Sequence, residues 1–273
     1  MTKELHKKIG FLTCLLVSLF GLSSCGEYQQ ILKSKDPDLK YQKALMYFED
    51  EQYVKAQTLL DEVTSYYRGT DRSQEVLAYL SRSYMGQKDY NAAAEYYQAY
   101  IRNYPKGRYI VEARFQVGHC YYLDSPDARL DQEITKKAIE FYTQFVELYP
   151  DSPYAEQAYK EMNELTNKLA YKEFLSAKLY YDLGTYLGNN YLSAEIIAKN
   201  ALKNYPTNEH QEELNWIILQ AKYQQMLNSL EEKREDRARE AEDEYYNFTT
   251  EYPNSKHRNT AERIYKEIKK ILQ

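Results

Sequence analysis

His119 stands directly before Cys120, and a thiol beside an imidazole is the pairing that nucleophilic catalysis uses. Neighbouring residues on a helix point to different sides, however, so the pair does not face itself. The other histidines, His6, His210 and His257, are scattered, and none has a second His or Cys at metal-ligand spacing. There is no glycine-rich phosphate loop and no nucleophile elbow. Carboxylate pairs occur throughout, as on any acidic helical surface. Cys120 reads as a buried helix residue, and the chain is expected to be no enzyme and to need no cofactor or metal.

One cysteine does carry a chemical expectation. Lys3, Lys7 and Lys8 precede a mostly apolar run from Ile9 to Leu22, the length of a signal-peptide core and short for a membrane span. Leu22-Ser23-Ser24-Cys25 follows it directly and resembles the lipobox of bacterial lipoproteins, with Ser24 where Gly or Ala is commoner. The resemblance implies removal of residues 1–24 and acylation of Cys25, with several acyl chains because one gives only marginal membrane residence. Residues 25–36 are then a lipidated N-terminus and tether, and 37–273 the folded domain. With Cys14 removed and Cys25 lipidated, Cys120 is left alone and no intrachain disulfide is expected. Cleavage also takes away a net +2, which moves the formal charge from −5 to about −7 and argues against nucleic acid as a partner.

Four Tyr-Pro pairs punctuate the rest: Tyr104-Pro105, Tyr149-Pro150, Tyr205-Pro206 and Tyr252-Pro253. An alanine precedes each proline by twelve residues, at Ala93, Ala138, Ala194 and Ala241. Between them the pattern is helical, as in the stripe Ala93, Tyr97, Tyr100, Ile101. Proline ends such a helix and restricts the tyrosine before it. A second helix lies upstream of each alanine, and Gly86 to Asn91 makes one of the turns, with Asp89 or Asn91 as its cap. The first unit repeats the scheme with Ala56, and Arg68 stands where proline would fall.

A helix–turn–helix unit of roughly 34 residues with small crossing residues and a closing proline resembles the tetratricopeptide repeat. The expected fold is all-α, an α/α superhelix of about five tetratricopeptide repeats with a C-terminal capping helix. The units fall near 37–68, 74–105, 111–150, 170–206 and 212–253, with the cap over 258–273. Insertions interrupt the third and fourth units at 124–131 and 186–190. The charged run from Ser229 to Glu244 reads as a solvated helix extension or turn.

The lipobox, the tether GEYQQILKSKDPD, the Tyr-Pro closures and the segment YIRNYPKGRYIVEARF together resemble the BamD (YfiO/ComL) outer-membrane assembly lipoprotein family over nearly all of residues 25–273. That resemblance implies a lipid-anchored, periplasm-facing outer-membrane subunit of the β-barrel assembly machine. Its C-terminal repeats would dock on the periplasmic domains of a BamA-type barrel subunit. Its N-terminal repeats would take up C-terminal targeting segments of unfolded outer-membrane proteins. In the repeat register the groove wall comprises Tyr41, Leu45 and Phe48, then Arg82 and Met85, then Phe115 and Tyr122, with Glu49, Glu75 and His119 beside them. Such a wall suits an extended segment ending in an aromatic residue, with Arg82 on its carboxylate. Phe48 and Phe115 could equally pack between repeats. A scaffold acting in cell-wall or DNA-uptake processes and a surface nutrient-uptake lipoprotein are the alternative functions.

Overall fold

The computed structural model describes residues 26–273, so the signal segment and Cys25 lie outside the described residues. Every regular element among them is a helix. After α1, over residues 26–33, come α2 (Pro37–Glu49), α3 (Tyr53–Thr64), α4 (Arg72–Gly86), α5 (Tyr90–Asn103) and α6 (Ile110–Asp124). They belong to a first compact unit that ends at Asp124. A second unit, from Ser125, holds α7 (Glu133–Leu148), α8 (Ala155–Leu183), α9 (Asn190–Asn204), α10 (Gln211–Leu227), α11 (Glu231–Glu251) and α12 (Arg258–Leu272).

In the first unit, each helix from α2 to α6 packs on its chain neighbour, and α2 also reaches α4. The second unit follows the same rule from α7 to α12, with α8 against α10. Contacts within hairpins alternate with contacts between the first helices of successive hairpins, which is how helix-pair repeats share a core. The chain is therefore all-α and built of stacked helix pairs of the tetratricopeptide kind.

The Tyr-Pro signal acts through backbone geometry. Tyr104, Tyr149, Tyr205 and Tyr252 each follow a helix with φ between −136° and −120° and ψ between 57° and 67°. Each still donates its N–H to the carbonyl four residues back, at 2.8–2.9 Å. Three of the four rings lie against an aromatic at that same position: Tyr100–Tyr104 at 5.3 Å, Phe145–Tyr149 at 5.8 Å and Phe248–Tyr252 at 5.5 Å. In the fourth case the residue is Ala201. The tyrosine thus completes the last turn while the following proline prevents another.

The alanines mark the crossings. Ala56, Ala93, Ala138, Ala194 and Ala241 are all fully buried, so a methyl group is what the close approach of two helices accommodates. Asp89 caps α5 by accepting from the Ala92 N–H at 3.1 Å, and Asn91 lies inside that helix.

Gly86, at the end of α4, shows how tight these contacts are. A Cβ there would fall 2.5 Å from ring atoms of Tyr53, which Phe48 backs edge-on at 5.4 Å. Alanine would gain about 1 kcal/mol of helix propensity. Overpacking costs about 1–3 kcal/mol, so Gly86→Ala is expected to lower stability on balance. A thermal midpoint equal to or above wild type would show that the Tyr53 ring yields freely.

Two features depart from the simple repeat scheme. The expected fourth unit starts near 170, whereas α8 begins at Ala155 and runs 29 residues without a break. No Gly or Pro interrupts it, and its early half is held when the Tyr142 phenol donates to the buried Glu161. The 124–131 insertion is anchored as well. Gln132 Nε2 donates to the Asp127 carbonyl at 2.8 Å, and Lys172 Nζ donates to the Leu130 carbonyl at 2.6 Å. The charged run continues as helix: α11 starts at Glu231 and buries Ala238 and Ala241 on its inner side.

Candidate functional site

The first unit holds the whole expected groove wall. Leu45, Phe48, Met85 and Tyr122 are half-buried and keep part of their surface. Phe48 stands edge-on to Tyr53 and to Tyr79, whose ring is 5.1 Å away. Met85 Sδ lies 3.7 Å from Cys120 Sγ, and burial pushes that thiol up to about 12, which makes Cys120 an inert core residue. His119 stacks between Phe115 at 5.6 Å and Tyr122 at 6.0 Å, an imidazole used as a flat spacer.

Three of the groove expectations need correction. Tyr41 is 6% exposed and Phe115 only 2%, so neither offers surface to a ligand. Tyr41 instead donates its phenol to Glu75 at 2.9 Å and packs edge-on to Tyr67 at 5.7 Å. Burial and then the Glu75 carboxylate push that phenol well above its ordinary value, which keeps it a donor. Arg82 is no free cation. Its Nε and Nη2 pair with the two oxygens of Glu112 at 2.7 and 2.5 Å, and the guanidinium sits 4.7 Å from the Tyr109 ring centre. A guanidinium spent on both oxygens of one carboxylate has little left for another.

A site the repeat register did not indicate lies beside these residues, where the loops after α3 and after α5 come together. It is an open cleft of about 850 Å³, lined by Tyr66, Tyr67, Arg72, Glu75 and Arg108 among others. Tyr66 lies with 64% of its surface exposed. Arg72 pairs with Asp38 and donates to the Tyr67 hydroxyl at 3.0 Å. The Tyr67 hydroxyl and then Arg72 hold the Asp38 carboxyl below its ordinary value. Arg108 donates through Nη1 to Glu75 at 3.0 Å and to the Tyr109 hydroxyl at 3.4 Å, its guanidinium lies 5.6 Å from the Tyr109 ring centre, and the rest of the side chain is exposed. Its remaining N–H groups form the fork that recognises a carboxylate in two places, with the exposed Tyr66 ring available for an apolar or aromatic neighbour. Glu75, which the register placed on the groove, is the residue common to both regions.

Among the described residues there is no cluster of His, Cys, Asp or Glu that could hold a metal ion. No helix among them is long and apolar enough to cross a membrane.

Residues 33–188 match the model of the family described as YfiO, outer membrane lipoprotein. The matched span includes the cleft and every groove residue named above. A relative described as outer membrane protein assembly factor BamD, from Pasteurella multocida (strain Pm70), is 22% identical over 186 residues, covering 64% of this chain and 70% of the relative.

Proposed function

We propose, from the premise that the chain belongs to the YfiO family of outer membrane lipoproteins, that it serves as a non-enzymatic subunit of the machinery that assembles β-barrel proteins in the outer membrane. The name of the Pasteurella relative, an outer membrane protein assembly factor, supports this reading. The chain is held at the membrane, facing the periplasm, by acyl chains on Cys25. Its second unit docks on periplasmic domains of a BamA-type barrel subunit, and its first unit receives C-terminal segments of unfolded outer-membrane proteins.

The observation that carries the receptor role is the pairing of Arg108 with the exposed Tyr66 in one open cleft inside the family-matched span. A chain terminus that ends in an aromatic residue offers a carboxylate to the fork and a ring to the tyrosine. Half-buried Leu45, Phe48, Met85 and Tyr122 are further apolar surface of the same unit, available to the segment that precedes such a terminus. Titration with a peptide ending in phenylalanine tests this reading. Hydrogen bonds to charged groups contribute about 1.5–3 kcal/mol, so amidating the terminus is expected to weaken binding by about tenfold or more. Equal affinity for acid and amide would refute the carboxylate role.

A further inference from the structure

The second unit carries a site of different character at the turns of two adjacent hairpins. One turn, 184–189, joins α8 to α9; the other, 228–230, joins α10 to α11. Between them lies a cavity of about 430 Å³ lined by Thr185, Asn189, Asn228, Ser229, Lys233 and Arg237, among others, with no acidic residue in its wall. The first unit's cleft includes Asp38, Asp71 and Glu75, and a third cavity, of about 300 Å³, includes Asp131, Glu133 and Glu173. On a chain of net charge −5, a cavity whose wall carries two cations and no carboxylate favours an anion. Arg237 is preset: its Nη1 donates to the Gln225 carbonyl and to Ser229 Oγ, both at 3.0 Å. The Lys233 amine has no hydrogen bond among the described residues and is free to close on a ligand.

The rim is apolar. Leu187 is 90% exposed and Leu230 71%, with Tyr186 exposed beside them. Leu187 also has φ +55°, a left-handed conformation that Glu51 and Lys88 adopt as well. The loop is nonetheless closed firmly, by Asn190 N–H to the Gly184 carbonyl at 3.0 Å and Asn190 Nδ2 to the Tyr186 carbonyl at 2.7 Å. Water does not reward the exposure. Burying such leucines in a lipid interface is favourable, because it removes their apolar surface from water.

We infer that these paired turns form a membrane-contact tip. An anionic phospholipid headgroup sits between Lys233 and Arg237, and Leu187, Leu230 and Tyr186 enter the interface around it. The inference rests on the membrane placement proposed above. A second attachment point adds to acyl anchoring and fixes the orientation of the second unit against the lipid surface.

The test uses the full lipoprotein mixed with vesicles. Leu187→Cys carries a bimane label, and the buried thiol of Cys120 does not compete for it. Leu148→Cys is the control: it precedes α8 and Leu187 follows it, so the 29 residues of that helix, roughly 43 Å, separate the labels. In vesicles of phosphatidylethanolamine with brominated phosphatidylglycerol, the label at 187 is expected to lose roughly half its emission while the label at 148 keeps its own. Lys233→Glu, with helix content unchanged by circular dichroism, should abolish the loss, and so should brominated phosphatidylcholine as the only lipid. A lipoprotein that floats with the vesicles without quenching at 187 overturns the tip and leaves the anchor standing. One that neither floats nor is quenched overturns both. Quenching that ignores Lys233→Glu and lipid charge overturns the headgroup site.

Discussion

Phe248→Ala is expected to lower the stability of the second unit by about 3–5 kcal/mol, the range for emptying a buried phenylalanine site. Phe248 is fully buried, with Trp216 at 5.4 Å and Tyr252 at 5.5 Å. Its loss therefore removes packing from α10, α11 and the closing Tyr-Pro turn together. The site cannot collapse easily, because Trp216 is itself held by His257, stacked on it at 4.6 Å. Trp216 is the chain's one tryptophan, so its emission in denaturant follows this unit. The midpoint should fall with little change in slope. A loss below about 1 kcal/mol would mean that the aromatic before Tyr-Pro is dispensable, and the repeat's closing device would need another explanation.

The second large effect concerns binding. Arg108→Gln is expected to weaken a peptide with a free C-terminal carboxylate by about tenfold to a hundredfold, the worth of a charge-assisted hydrogen bond pair. Fold stability should hardly change, since Arg108 is exposed and Glu75 keeps its bond from the Tyr41 phenol at 2.9 Å. Arg82→Gln should behave in the opposite way. It leaves Glu112 half-buried without its partner, so stability drops by about 1–3 kcal/mol while peptide affinity stays. The two variants measured side by side in calorimetry and in denaturant separate the roles. If Arg82→Gln abolished binding and Arg108→Gln did not, the groove would be the site and the cleft would not.

The bidentate pairing of Arg82 with Glu112 is a feature that the sequence does not make legible. The closing turns were legible because proline acts locally: whatever surrounds it, the preceding tyrosine leaves helical geometry, and all four do so within 16° of φ. The crossing alanines were legible because spacing on a helix fixes which residue meets its neighbour. Side-chain pairing across helices was not. Arg82 and Glu112 lie thirty residues apart, and no periodicity announces that a bidentate pair will form between α4 and α6. The same holds for Tyr41 and Glu75. The cleft was not legible because two inter-helix loops supply much of its wall beside the first turns of α2 and α4, and a loop has no period to extrapolate. Its signal was compositional: Tyr66-Tyr67 in one loop with Arg72 opening the helix after it, and Arg108 in the equivalent loop of the next repeat. The start of α8 was missed for a related reason. Tyr-Pro says where a helix ends, and the length of the next one depends on when a breaker arrives, here at Gly184.

Membrane attachment is assigned to Cys25, outside the described residues, and to the turns of the second unit. The receptor end rests on the cleft of the first. One measurement bears on the whole: purification of the tagged, full-length lipoprotein from its own outer membrane in mild detergent, with mass spectrometry of the proteins that accompany it. Stoichiometric recovery of a large barrel protein with periplasmic domains is the expected result. Recovery of cell-wall enzymes or of a nutrient transporter in its place would contradict the assembly role and leave only the fold.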